Sequence, residues 1–111
     1  AGDDQLKAKA SYLLGKISHS KGLYDEAFTR YLTCVKLDSH HQAGQFGLAQ
    51  MYVKRKDVAS GIRLLEQIKG GSGYQVQALL GVLLVQRYGE ITDPALLDRA
   101  FTCFSTLPEQ Y

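Results

Sequence analysis

The feature that most constrains this chain is a pair of residues, one leucine and one small residue, that returns at a nearly constant interval. It occurs as Leu14-Gly15, Leu48-Ala49 and Leu80-Gly81, so the second interval is only two positions shorter than the first. A period of about 20–50 residues is the signature of stacked repeat architectures, in which each unit is one supersecondary element. The sequence therefore predicts three copies of such a unit.

Each copy is predicted to be a pair of α-helices. Apolar residues recur three and four positions apart, the chain has only 2 prolines, and no segment sustains the alternation of a strand. Short connections favour antiparallel neighbours. The predicted helices cover about residues 4–20, 24–37, 42–54, 57–69, 74–87 and 94–107, with Asp93 as the N-cap of the last and a break at the GGSG sequence of residues 70–73.

Small residues also recur in the second helix of each pair. They follow the first small residue after twelve positions in two pairs and after nineteen in the third, which places a seven-residue insertion within RYGEITDP. A glycine inside a helix costs about 1 kcal/mol relative to alanine, so we expect a packing reason for it, namely that two backbones approach closely. The predicted buried contacts are Gly15 with Ala27, Ala49 with Gly61, and Gly81 with Ala100.

This pattern resembles the tetratricopeptide repeat (TPR), which has a period of about 34 residues, a Leu-small pair, and an alanine followed four positions later by an aromatic residue. Residues 8–41 fit without a gap, residues 42–73 fit less fully, and residues 74–107 fit only with the insertion. Ser11 stands where the family has its signature tryptophan, and Ser39 where it usually has proline. The resemblance implies an all-α, right-handed superhelix of three antiparallel helix pairs, forming one domain over residues 1–111 that is a fragment of a longer solenoid.

Two segments carry a narrower resemblance. FGLAQMYVKRKDVASGIRLLEQI and LLGVLLVQRYGEITDPALLDRAF are similar to consecutive repeats of the Ctr-nine family, the TPR scaffold subunits of the RNA-polymerase-associated (Paf-type) elongation complex. That resemblance implies a nuclear scaffold that holds protein partners during transcription elongation and performs no chemistry. The alternative is a TPR peptide-binding adaptor of another pathway.

The composition and the reactive side chains favour a binding protein over an enzyme. A net charge of +2 gives no domain-wide footprint for nucleic acid, and the apolar run at residues 78–85 is shorter than the roughly 20 residues that cross a bilayer. DSHH at residues 38–41 lies in a connection, and with His19 it does not make a three- or four-ligand zinc site. Cys34 and Cys103 are predicted to be buried thiols. We expect no catalysis, no cofactor, no metal, and no nucleic-acid or membrane contact.

The TPR resemblance implies a concave partner-binding face on the first helix of each pair. The carboxylate clamp of chaperone adaptors is not expected, because its positions hold Tyr12, Lys16, Gly47, Gln75 and Leu79 here and none matches. The remaining groove is apolar with a lysine rim and suits an extended or helical segment with apolar anchors and acidic residues. Val82 and Val85 fit either this groove or the core. The implied partner-binding residues are Lys9, Tyr12, Lys16, Ala43, Phe46, Gln50, Val53, Lys54, Gln75, Val82 and Gln86, with His19 and Val85 beside them.

The last helix is predicted to remain partly uncovered, because no seventh helix follows it in the sequence. Terminal units of a solenoid need a polar outer face to stay soluble. We therefore expect self-association through residues 96–111. The apolar residues concerned are Leu96, Leu97, Phe101, Phe104 and Leu107.

Overall fold

The computed structural model describes residues 2–68 and 73–108, and every element of regular structure within these ranges is an α-helix. The helices are α1 (Gly2–Ser20), α2 (Tyr24–Leu37), α3 (Gln42–Lys54), α4 (Val58–Gln67), α5 (Tyr74–Ile91) and α6 (Pro94–Ser105). The all-α prediction is confirmed for this part of the chain. The predicted end of the fourth helix at Lys69, residues 70–72 of the GGSG break and residues 109–111 lie outside the described ranges.

Each helix packs against the helix that follows it in the chain, and α1 also touches α3. Two apolar clusters form the core. One joins α2 and α3 through Ala27, Tyr31, Leu48 and Met51. The other joins α3, α4, α5 and α6, with the fully buried Leu83 of α5 among its members. Leu96, which was expected to be uncovered, is instead buried in this cluster because it points toward α5. The packing therefore runs from one helix to the next along the chain.

Side-chain caps begin three of the helices. Asp93 accepts a hydrogen bond from the backbone N–H of Ala95, which confirms the predicted N-cap of α6. Asp57 caps α4, because its carboxylate accepts hydrogen bonds from the hydroxyl and the backbone N–H of Ser60. Both hydrogen bonds lower the pKa of the Asp57 carboxyl, and the one from the hydroxyl has the larger effect. The cap of α3 is His41, which the sequence analysis placed only in a connection.

Part of the seven-residue insertion lengthens α5 instead of forming a loop. The fifth helix was expected to end at about residue 87, but it continues for another turn to Ile91. Arg87 and Glu90 form an ion pair at 3.0 Å on this added turn. The helix ends where Thr92 adopts a left-handed conformation with φ 48° and donates its N–H to the carbonyl of Tyr88. Residues 88–91 are helical because none of them is a proline and they continue the hydrogen-bonding pattern of α5.

Two of the repeated glycines make room for aromatic rings, which differs from the expected contact between small residues. A methyl group at Gly15 would lie 2.8 Å from ring carbons of Tyr31, and one at Gly81 would lie 2.6 Å from a ring carbon of Phe104. Tyr31 and Phe104 occupy the same place in their pairs, four residues after the small residue of the second helix. The space left by the missing side chain is therefore filled by a ring from the following helix. Every member of the small-residue set is buried: Gly15, Ala27, Ala49, Gly61, Gly81 and Ala100.

The middle pair keeps the predicted contact between small residues. A methyl group at Gly61 of α4 would lie 3.6 Å from the backbone carbonyl of Ala49 and 3.2 Å from the side chain of Leu83. The backbones of α3 and α4 approach closely here because neither residue carries a large side chain. Leu65, which takes the place of Tyr31 in this pair, is buried in the core.

Replacing Ala49 by leucine is expected to lower the free energy of unfolding by about 1–3 kcal/mol, because three heavy atoms would be added to a fully packed position. Urea denaturation followed by circular dichroism measures the loss. Ala95→Leu, at an exposed alanine of α6, is the matched control and should stay within about 0.5 kcal/mol of the unmodified protein. An unchanged denaturation midpoint for Ala49→Leu would contradict the packing at this site.

Candidate partner-binding cleft

An open cleft of about 270 Å³ lies between α1 and α3. Five of the predicted partner-binding residues line the cleft together with His19. Two further lining residues, Tyr31 and Gly47, were not predicted to bind a partner. The predicted residues that line it are Tyr12, Lys16, Ala43, Phe46 and Gln50.

Helical spacing places these residues on facing sides of the two helices. On α1, Tyr12 is followed by Lys16 four positions later and by His19 seven positions later. On α3, Ala43 and Gln50 are also seven positions apart, with the other lining residues of that helix between them. Residues separated by three, four and seven positions share one face of a helix, so each helix contributes one continuous strip to the cleft.

The buried ring of Tyr31 connects the cleft to the core. It packs against both Gly15 of α1 and Gly47 of α3, where a methyl group would lie 2.8 Å and 2.9 Å from ring carbons. Its hydroxyl lies 3.4 Å from Nδ1 of His19. Burial, and after it the phenol of Tyr12, raises the pKa of the Tyr31 hydroxyl above its usual value. The sequence signal for this contact was Gly47, the glycine that follows Gly44 in α3. A glycine destabilises an isolated helix, so its presence there indicates a packing contact.

The accessible wall of the cleft is aromatic with a cation at its edge. The ring of Tyr12 lies 6.0 Å from that of Tyr31 and 5.3 Å from the imidazole of His41, measured between centroids. Nζ of Lys16 is 5.8 Å from the centroid of Tyr12. Phe46 is half-buried, because part of its ring packs against the core cluster of α4 and α5 while the rest lines the cleft. This surface offers apolar contact area with one positive charge.

No protein-family model matches the chain. The chain is similar to CTR9. Over 95 residues the chain is 26% identical to the RNA polymerase-associated protein CTR9 of Caenorhabditis elegans, and the match covers 83% of this chain. The chain spans 8% of the length of that relative. Together with the all-helical structure, this similarity supports a TPR-like helical family.

Two predicted residues near the end of α3 lie away from the cleft. Lys54 lines a separate depression of about 420 Å³ beside the α1–α2 connection, where its Nζ sits 4.8 Å from the ring centroid of Tyr24. Val53 packs against the core, with its Cγ2 3.8 Å from a methyl group placed at Gly61. The end of α3 has turned these side chains toward α2 and α4, so the lysine rim of the cleft is reduced to Lys16.

The predicted residues of α5 form a surface of their own. Val82 and Val85 are each 45% exposed, which excludes them from the core and resolves the alternative that the sequence left open. Gln75 and Gln86 are on the same helix, and none of the four lines the α1–α3 cleft. Lys9 is exposed on α1 and also lies outside the cleft lining.

One of the residues that could carry chemistry, His41, has a structural role. Nδ1 of His41 accepts a hydrogen bond from the backbone N–H of Gly44 at 3.0 Å and so caps α3. Within residues 2–68 and 73–108, no three His, Cys, Asp or Glu side chains converge on a point where a metal ion could bind. In the same ranges no helix has the length and apolarity needed to span a bilayer. The arrangement can bind a protein surface.

Cys34 is expected to react about 100-fold more slowly with iodoacetamide at pH 8 in the folded protein than in urea. Burial, with Asp38 as a second cause, raises the pKa of its thiol to about 11, so little thiolate is present, and the side chain is fully buried. Because the folded-state pKa is the higher one, this group's contribution to stability is complete below pH 9 and declines as the pH rises toward 11. Mass spectrometry of the alkylated peptides measures the rate. Equal rates in the folded and unfolded states would contradict the burial.

Proposed function

We propose that this chain is a non-catalytic scaffold for protein–protein interaction that holds a segment of a partner protein in the α1–α3 cleft. The observation that carries the proposal is the joint lining of that cleft by Tyr12, Phe46 and Lys16. Aromatic side chains in partly desolvated pockets supply most of the energy at protein interfaces. An extended or helical segment with apolar anchors and nearby acidic residues matches this surface.

The proposed architecture is a TPR-type right-handed superhelix of three antiparallel helix pairs. Its repeats are residues 8–41, 42–73 and 74–107, within a single domain over residues 1–111 that belongs to a longer solenoid. Recurring contacts support it, since Gly15 meets Tyr31 in the first pair as Gly81 meets Phe104 in the third. The similarity to a small part of a much longer relative also supports it.

The proposed setting is a transcription elongation complex in the nucleus. Its support is the similarity to CTR9, whose name describes a protein associated with RNA polymerase. In that setting the chain would position other protein subunits and would itself contact neither nucleic acid nor membrane. A TPR adaptor of another pathway would use the same cleft, so the identity of the partner separates the two functions.

Site-specific photo-crosslinking in cells tests the proposal. A benzoylphenylalanine at Gln50, inside the cleft, is expected to crosslink subunits of the RNA-polymerase-associated machinery, identified by mass spectrometry. The same group at the exposed Thr33 of α2 is the control and should give no such product. Crosslinks from position 50 to proteins of an unrelated pathway would replace the transcription setting with the adaptor function. Equal crosslinking from both positions would contradict the cleft as the binding site.

A further inference from the structure

The depression at the end of α3 combines an apolar floor with two cations. It has a volume of about 420 Å³ and lies between the α1–α2 connection, the start of α2 and the end of α3. Met51 is 1% exposed and forms the floor, whereas Lys54 and Arg55 are exposed at the edge. We name it the α3-end depression; its lining residues are Gly22, Tyr24, Asp25, Met51, Lys54 and Arg55.

Each cation of the α3-end depression rests on an aromatic ring. The guanidinium carbon of Arg55 lies 3.7 Å from the centroid of the Phe28 ring, and Phe28 is itself packed edge to face against Tyr52. Nζ of Lys54 lies 4.8 Å from the ring centroid of Tyr24. These cation–π contacts favour the observed side-chain positions, so less conformational freedom is lost when a ligand binds. The two positive charges are therefore in place before binding.

A carboxylate of the chain itself already occupies part of this depression. Oδ1 of Asp25 lies 3.4 Å from Nη2 of Arg55, in an ion pair whose carboxylate side chain is 97% exposed. That contact uses one of the several N–H donors of the guanidinium, which can hold a further carboxylate through parallel hydrogen bonds. Because an exposed ion pair is weak, an acidic ligand can join or displace Asp25. The pair shows which chemical group the depression accepts.

The charges around the depression favour an acidic protein segment over a nucleic acid. Lys21 and Lys56 are exposed and adjacent in sequence to lining residues, while the carboxylates of Glu26 and Asp57 already accept hydrogen bonds from serine hydroxyls. A nucleic acid needs cations spread along its phosphates. Here the cations form one compact group that includes the Asp25 carboxylate, and the net charge of the chain is only +2.

We infer that the α3-end depression binds an acidic segment of a partner protein in which carboxylate side chains follow an apolar one. A carboxylate pairs with Arg55 and Lys54, and the apolar side chain covers Met51. The depression shares no lining residue with the α1–α3 cleft. This inference is therefore independent of the partner segment proposed for that cleft.

Nuclear magnetic resonance titration of the ¹⁵N-labelled chain with the peptide GSLEEGS tests the site. The amide signals of Gly22, Tyr24 and Arg55 are expected to shift and to saturate with a Kd at or below about 1 mM. The uncharged peptide GSLQQGS is the matched control and should bind at least about tenfold more weakly. The inference is overturned by a lack of saturation, by equal binding of the two peptides, or by shifts confined to the α1–α3 cleft.

Substitutions at the ion pair should change the affinity for GSLEEGS in opposite directions. Arg55→Ala is expected to weaken binding about tenfold, and Arg55→Lys should also weaken it because the planar fork is lost. Asp25→Asn removes the competing carboxylate and should strengthen binding about threefold. An ion pair without a role in binding would give no change in either direction.

Lys36→Ala is the charge control, because it removes an exposed cation near the other end of α2 and should leave the affinity unchanged. Each variant alters an exposed side chain and should keep its circular dichroism spectrum and melting temperature. Lys54→Ala replaces Arg55→Ala if that variant does not fold. Unchanged binding by a folded Arg55→Ala, or weaker binding by Asp25→Asn, would overturn the inference.

Discussion

Replacing Tyr31 by alanine is expected to lower the free energy of unfolding by about 3–5 kcal/mol. The ring is 2% exposed and packs against Gly15 and Gly47, which have no side chains that could move into the cavity. The cost of removing a large side chain grows with the volume that stays empty, so this site lies at the upper end of the range. The loss is a large part of the about 5–15 kcal/mol that holds a typical domain together.

Thermal and urea denaturation measure this loss, which corresponds to a fall in melting temperature of about 12–20 °C. Tyr31→Phe is the matched control. It keeps the ring and removes only the hydroxyl, whose 3.4 Å contact with His19 is long for a hydrogen bond, so it should cost less than about 1 kcal/mol. A small effect of Tyr31→Ala would mean that the ring does not hold α1, α2 and α3 together.

A double-mutant cycle with Gly47→Ala tests the contact itself. In the unmodified protein the added methyl group would lie 2.9 Å from the Tyr31 ring, so Gly47→Ala should destabilise although alanine favours a helix by about 1 kcal/mol. In the Tyr31→Ala background the same methyl group meets a cavity, and the change should stabilise. We expect a coupling energy of about 1–3 kcal/mol. Additive effects would show that the ring and Gly47 are not in contact.

Phe46→Ala is expected to weaken binding of a partner segment tenfold or more, whereas Lys16→Ala should change it only a few-fold. Phe46 lies in the cleft between α1 and α3, where an aromatic anchor can contribute about 2 kcal/mol or more. Lys16 is exposed, and an exposed ion pair with an acidic partner residue is worth below about 1 kcal/mol and is screened by salt. Lysine also lacks the planar fork that holds a carboxylate with two hydrogen bonds.

Fluorescence anisotropy with a labelled synthetic peptide, carrying two leucines four residues apart and flanking glutamates, measures the affinities. Because part of Phe46 packs against the core, the melting temperature of each variant must be measured as well. Val85→Ala, on an exposed position of α5 outside the cleft, is the matched control and should leave binding unchanged. If Lys16→Ala abolished binding and a stably folded Phe46→Ala did not, recognition of an acidic segment would replace the apolar cleft.

Local sequence patterns predicted the bounds of the helices closely. The structure differs from the prediction where the local sequence is compatible with more than one conformation. Helices α2 and α3 have the predicted bounds, since their apolar periodicity and turn residues agree. The insertion before α6 contains Gly89 and polar residues that are compatible with either a loop or a helix, and only the continued hydrogen bonding of α5 selected the helix. The role of His41 as the cap of α3 was missed because an imidazole is not among the preferred capping groups.

The sequence predicted only part of the candidate site. Tyr12, Lys16 and Phe46 came together because repeat position alone places them on facing helices. Lys54 did not join them, because at the end of α3 the ring of Tyr24 attracts its ammonium group toward α2. Nothing local to residue 54 encodes that neighbour, which lies almost a full repeat earlier in the chain.

By itself the sequence determined the helical class and the number of helices in the described ranges. These follow from spacing, since a period of three to four residues makes a helix and a period of about 34 makes successive helix pairs present the same faces. Only the tertiary structure decided what fills the space beside each small residue: a ring at Gly15 and Gly81, but a backbone carbonyl and a leucine at Gly61. That choice depends on the size of the side chain that a separate helix brings to the contact, and close packing admits only the one that fits.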